Sequence, residues 1–109
     1  MSTDRELLEL AAKAVGEPYF EHAPEGGLYL ANGEHWQPLT DDGDAFRLLA
    51  AMPSLWSLGL KFGSPSIVMD VAWGFKGIKV TKFNGQNTDR AAVIRRAIVE
   101  AAAEMGRSM

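Results

Sequence analysis

Cysteine is absent from the 109-residue chain. That excludes disulfides, thiolate metal centres and a cysteine nucleophile together, and it fits a reducing cytoplasm. Histidine occurs only at His22 and His35. Neither stands in an HxH or HxxxH spacing, so no metal and no cofactor is expected. No apolar run approaches the ~20 residues that span a bilayer. The opening Met1-Ser2-Thr3-Asp4-Arg5-Glu6 is polar and acidic. It lacks the basic stretch and apolar segment of an export signal, so neither export nor membrane insertion is expected. The chain also lacks a G-x-S-x-G elbow, a G-x-x-x-x-G-K-[ST] loop and a G-x-G-x-x-G turn. With no cysteine and no histidine dyad, these absences argue against an enzyme.

What is present suits one domain spanning residues 1–109. Hydrophobic residues make up 47%, enough for a core at this length without staples. The net charge of -3 is unevenly spread. From Met1 to Leu60, three bases oppose ten acids, giving -7; from Lys61 to Met109, eight bases oppose four acids, giving +4. Such a split suits head-to-tail self-association or a basic patch for phosphates, unless the charges interleave in space and cancel.

Hydrophobic periodicity orders the elements. Thr3 reads as an N-cap with Glu6 completing a capping box, and the helix runs from Asp4 to Val15 before Gly16 and Pro18 stop it. Leu28–Ala31 is a strand candidate, and Asn32-Gly33 is a hairpin signal into Glu34–Gln37. A second helix follows, capped by Thr40 or Asp41 and ended by Pro53. Its apolar stripe is Ala45, Phe46, Leu48, Leu49 and Met52. From Leu55 to Phe83 the period becomes two. Trp56, Leu58, Leu60 and Phe62 share one face of the first strand, and turns at 63–65 and 74–77 make a three-stranded antiparallel meander. A last helix, capped by Asn87 or Thr88, carries Ala91, Ile94, Ile98, Ala101 and Met105 on one face, with Gly106 as its stop. The expected class is α+β: three helices on an antiparallel sheet, in the order α-β-α-β-β-β-α, the first β being a hairpin or strand.

Few residues stand out chemically. Asp41, Asp42 and Asp44 suit a hard cation, but Gly43 breaks EF-hand spacing, and helix N-terminal capping is the favoured explanation. His22 and His35 read as turn residues in Gly-rich loops. Trp56 and Trp73 read as core. Trp36 precedes Pro38 in a loop and is a candidate binding anchor. Lys76, Lys79, Lys82, Arg95 and Arg96 are candidate phosphate contacts. Lys76 and Lys82 share a strand face opposite Lys79, and the two arginines diverge by ~100° on a helix. The pI of about 5.3 weighs against nucleic acid, whose partners are basic.

Trp36-Gln37-Pro38-Leu39-Thr40-Asp41-Asp42-Gly43-Asp44-Ala45-Phe46-Arg47-Leu48 resembles the W-x-P-L-T-D-D-G-D-A pattern of small tailed-phage and prophage proteins of the phage ABA-sandwich, or NinX-like, type. Arg95–Met109 resembles their C-terminal helix, and Asp4–Ala14 fits their opening; residues 52–85 match in pattern only. The resemblance implies a sheet packed between helices in a phage- or prophage-encoded protein, and it carries over no catalytic residue. The expected function is non-catalytic binding that blocks a host defence protein or sequesters a nucleotide signal. The alternatives are a nucleic-acid-binding accessory factor in phage replication or recombination, and a metal-dependent enzyme using Asp41, Asp42 and Asp44.

Overall fold

The structure, a computed structural model, describes residues 3–52, 55–62, 66–73, 76–83 and 90–108. The side chains of Phe20, Leu55, Trp56, Phe62, Ser66, Ile67, Trp73 and Arg90, and those of 76–83 apart from Gly77, fall outside that description. So do the turn expected at 63–65, the first half of the turn expected at 74–77, Pro53, and the caps expected at Asn87 or Thr88; Lys76 and Gly77, expected in that second turn, already belong to a strand.

The described elements are α1 (Asp4–Ala14), β1 (Tyr19–His22), β2 (Leu28–Leu30), β3 (His35–Trp36), α2 (Asp42–Ala51), β4 (Leu55–Phe62), β5 (Ser66–Trp73), β6 (Lys76–Phe83) and α3 (Arg90–Arg107). The α+β class and the order of elements are those expected. β1 is an addition to the expected hairpin. It makes a first antiparallel sheet β1-β2-β3, beside the meander β4-β5-β6.

Local chemistry accounts for the helix ends. The Thr3 hydroxyl accepts the Glu6 N–H at 3.2 Å. At the other end of α1, Gly16 takes φ +68. The Glu17 N–H reaches the Ala12 carbonyl at 2.9 Å and the Gly16 N–H reaches that of Lys13 at 3.2 Å, the paired bonds of a Schellman stop. Asp41 rather than Thr40 caps α2, its Oδ1 accepting the Gly43 N–H at 2.9 Å. Gly106 does not stop the last helix, which continues to Arg107. Its lack of a side chain serves packing: a Cβ there would lie 2.1 Å from the Leu10 carbonyl oxygen of α1.

α3 is the hub. It packs against α1, α2, β5 and β6. Burial therefore wraps round it, taking in Ala97, Val99, Ala102 and Ala103 as well as the expected Ile98, Ala101 and Met105, while Ala91 stays exposed. Small residues let α1 and α3 approach closely, with Ala11, Ala12 and Ala14 of α1 opposite the alanines of α3 in the same core. On α2, Ala45, Leu48 and Met52 are buried. Phe46, expected in that stripe, is 69% exposed, because it lies one position off the 45–48–52 row.

In the meander, Met69 and Val71 of β5 point into the core, on the side of the sheet that α3 covers. Their partners on β4 are Leu60 and Leu58, so the expected alternation of β4 holds. Yet Leu58 is 46% and Leu60 37% exposed. The helical cover thins out at this edge of the sheet. Among the described residues no helix is long and apolar enough to cross a membrane.

Candidate functional site

The stop of α1 turns the chain back along the helix, and β1 runs beside it. The turn from Ala23 to Gly27 then reverses into β2; the Gly26 N–H donates to the Ala23 carbonyl and the Ala23 N–H to that of Gly27, each at 3.0 Å. At the next reversal, Asn32 Oδ1 accepts the Glu34 N–H at 3.0 Å and Gly33 takes φ +89. These turns gather acidic side chains on one side of the molecule. From Asp4 to Trp36 the chain carries seven acids and two bases, a net -5.

Clefts open there, and two of them share Glu17. One, of about 290 Å³, lies between the β2–β3 hairpin and α2; Leu30, Trp36 and Leu48 form its apolar lining, and Glu17, Glu34, His35, Asp44 and Arg47 its polar lining. Asp44 is buried. It accepts the Gln37 N–H at 2.9 Å and the Arg47 guanidinium at 2.6 Å. That bond raises the Arg47 pKa above its already high value, so the guanidinium stays charged. A broader, open cleft of about 630 Å³ runs between α1 and β1, with Glu6, Glu9, Lys13 and Glu17 beside Leu10, Pro18 and Tyr19. Glu17 lines both.

Both histidines stand on strands, β1 and β3, and not in loops. His22 Nε2 lies 2.7 Å from Glu9, tying β1 to α1. His35 Nε2 lies 2.8 Å from the Gly26 carbonyl and 3.8 Å from Glu25. Neither histidine bonds a nucleophile in these contacts.

Tyr29 donates its hydroxyl to Glu25 at 3.0 Å. This bond, foremost, raises the Tyr29 pKa above its ordinary 10.0. The Glu25 carboxyl is lowered below 4.5, chiefly by its own backbone N–H and then by Tyr29. The sign follows from linkage: Tyr29 holds its proton more tightly when folded, so its contribution is present below its ordinary pKa and is lost as pH rises through the folded value. Glu25 behaves oppositely, its contribution being lost as pH falls through the lowered value. In a Tyr19→Phe background, tyrosinate absorbance should titrate above pH ~10. Glu25→Gln should bring the midpoint down; an unmoved midpoint would mean the bond is not formed.

The residues singled out in the sequence scatter. Trp36 is buried at 7% exposure on β3 and belongs to the core. Arg95 Nε donates to the Leu39 carbonyl at 3.0 Å and its guanidinium pairs with Asp42 at 2.5 Å. Arg96 turns to α1, pairing with Asp4 at 3.0 Å, and along α3 to Glu100 at 3.2 Å. The two arginines are ties between elements. On β6, Lys79 is the register partner of Asp70, while Lys76 and Lys82 pair with Trp73 and Ile67 in the other row; their side chains lie outside the described residues. Asp41, Asp42 and Asp44 are held by a backbone N–H, by Arg95, and by Gln37 with Arg47. Among the described residues no three acid or histidine side chains form a metal-binding group.

The arginine ties predict unequal stabilities. Arg95 has a side chain only 15% exposed and bonds a carbonyl and a carboxylate. Arg95→Ala should destabilise by about 1–2 kcal/mol in urea unfolding. Arg96 is 41% exposed in its pairs, and Arg96→Ala should cost no more than about 0.5 kcal/mol. Equal losses would put Arg95 in solvent.

No family model, no curated protein and no solved structure matches this chain.

The functional reading therefore rests on the molecule's own surface. That surface is the acidic side built by α1, β1–β3 and the start of α2. Sequence reasoning found the acidic excess but not the clefts, which depend on how the strands and helices pack. The excess of acids before Leu60 was the available signal. Among the described residues, the basic and acidic halves meet at α3, where Arg95 and Arg96 pair with Asp42 and Asp4.

Proposed function

We propose that this is a small, non-catalytic, phage- or prophage-encoded protein that acts in the cytoplasm of its bacterial host by binding a host protein through its acidic side. The observation that carries the reading is the pair of clefts sharing Glu17, each with an apolar lining and more carboxylates than cations around it. Such a surface suits a partner that presents Arg or Lys side chains on an apolar patch. Complementary charge steers encounter and fixes register, while the apolar lining supplies affinity. The host protein is favoured over a nucleotide signal for a specific reason. Phosphate needs free cations, and of the candidate contacts whose side chains are described, Arg95 and Arg96 are engaged with Asp42, Asp4 and Glu100. The same engagement, with the acidic pI of about 5.3, weakens the nucleic-acid alternative. The phage assignment is supported by the resemblance in Asp4–Ala14, Trp36–Leu48 and Arg95–Met109.

The test is capture of partners from host lysate, followed by charge reversal. Glu17→Lys with Glu34→Lys should weaken the captured complex at least ~10-fold, mostly through association rate and with reduced salt dependence. Retention of a nucleotide or nucleic acid instead, or a complex indifferent to the reversals, would overturn the reading.

A further inference from the structure

The meander ends on one side in β4, and among the described residues β4 carries few of the devices that shield an edge strand. An edge presents unpaired backbone N–H and C=O groups, and it is ordinarily blunted by short length, charge, proline or a bulge. β4 is eight residues long. Its one irregularity lies at the Leu55/Ser57 end, and from Ser57 to Phe62 its register with β5 is unbroken. Lys61 is its only charged residue. Beside this edge lies the uncovered apolar strip of Leu58 and Leu60, 46% and 37% exposed on the side of the sheet that α3 covers elsewhere. A helix or loop laid over the leucines would leave the backbone edge unpaired. Another strand pairs the backbone edge and sets its own apolar side chains against the flank of the leucines.

We propose that this strand is β4 of a second copy, paired antiparallel about a two-fold axis through Gly59, so that the two meanders join into one continuous sheet. A two-fold interface must be self-complementary, and β4 is so about this residue. With Gly59 opposite Gly59 of the second copy, Leu58 faces Leu60 of the second copy, and the reverse, on the helix side. On the other side Lys61 faces the Ser57 hydroxyl, so the strand's one charge never meets its like. An axis at Lys61 would instead oppose two lysines. Glycine in mid-strand weakens a strand unless another backbone comes close. Among the described residues nothing requires it here: a Cβ on Gly59 would meet Asp70, at 3.8 Å and beyond. The dimer does not depend on the acidic clefts, and charge reversal at Glu17 and Glu34 leaves it intact.

The absence of cysteine makes a direct test. Gly59→Cys supplies one thiol per chain, able to cross-link only to another copy. Directly opposed residues of antiparallel strands have Cα atoms about 4.5–5.5 Å apart, within disulfide reach. With oxidised glutathione as oxidant, Gly59→Cys should give mostly covalent dimer on a non-reducing gel. Gly77→Cys on β6, an exposed position with room for a side chain, should stay monomeric under the same conditions. The unaltered chain should sediment at twice its 11.9 kDa mass. Leu58→Lys with Leu60→Lys, both at exposed positions, should weaken self-association at least tenfold with an unchanged circular dichroism spectrum. A chain that sediments as a monomer at high micromolar concentration overturns the proposal. Equal cross-linking of the two cysteine variants, or a dimer indifferent to the lysines, does so as well.

Discussion

Gly106→Ala should lower stability by about 3 kcal/mol, with a melting temperature reduced by roughly 12 °C. The direction is the informative part. Alanine is the best helix former, and exchanging an interior helical glycine for it ordinarily gains ~1 kcal/mol. Here the added methyl would sit 2.1 Å from the Leu10 carbonyl oxygen and 2.9 Å from its carbonyl carbon. Both are backbone atoms of α1, and neither can step aside as the tip of a side chain can. The helices must separate, and the alanines between them lose contact along the whole seam. Dispersion falls steeply with such gaps, so a small displacement is felt by Ala11, Ala12, Ala101 and Ala102 together. Urea unfolding of the variant measures the loss. A Gly106→Ala protein as stable as the parent would show that α1 and α3 do not approach at this point.

The same residue marks where sequence reading succeeds and where it fails. The caps of α1 and α2 are local chemistry, decided within four residues, and Thr3, Gly16 and Asp41 do what their types suggest. The meander is legible because period two persists over three strands. Gly106 looks like a stop because a glycine near a helix end has two uses, and only the position of α1 distinguishes them. β1 was hidden by its shortness and by the register shift between Tyr19 and Glu21, which erases the alternation that would reveal it. Phe46 shows the limit of a stripe read by eye: one residue off the row, it faces solvent.

The candidate site was less legible than the fold, and for a single reason. Its meaning lies in pairings across long stretches of chain. Arg95 and Arg96 are adjacent and alike in sequence, yet they reach opposite neighbours, Arg95 bonding residues 56 and 53 positions away. Trp36 is an exposed anchor or a core residue according to whether α1 and α2 close over it. Leu58 and Leu60 alternate as any buried face would; their exposure shows only once α3 is seen to pack on β5 and β6. The acidic side was visible only as arithmetic, a surplus of carboxylates before Leu60, until the turns at 23–27 and 31–34 brought the carboxylates together.

Gly27→Ala should be the second large loss, about 3–4 kcal/mol, and its matched control is Gly33→Ala. Both glycines hold a left-handed conformation, φ +85 and φ +89, so both substitutions carry the strain of an L-residue there, about 1–2 kcal/mol. Only Gly27 is also crowded. A Cβ on it would lie 2.6 Å from the Trp36 carbonyl oxygen, 2.9 Å from Gln37 Cβ and 3.0 Å from His35 Nε2, whereas nothing lies within 4 Å of one on Gly33. Overpacking against a backbone atom adds about 1–3 kcal/mol to the strain. The crowding arises because β3 crosses beside the turn that starts β2, with Leu28 paired to Trp36 and Tyr29 to His35. Pushing β3 away displaces Glu34, His35 and Trp36 together, and these line the smaller cleft. Gly27→Ala should therefore weaken binding of the captured host partner more than Gly33→Ala does, measured at a temperature where both variants remain folded. Comparable losses of stability and affinity in the two variants would mean that the close approach of β3 to Gly27 does not shape the cleft.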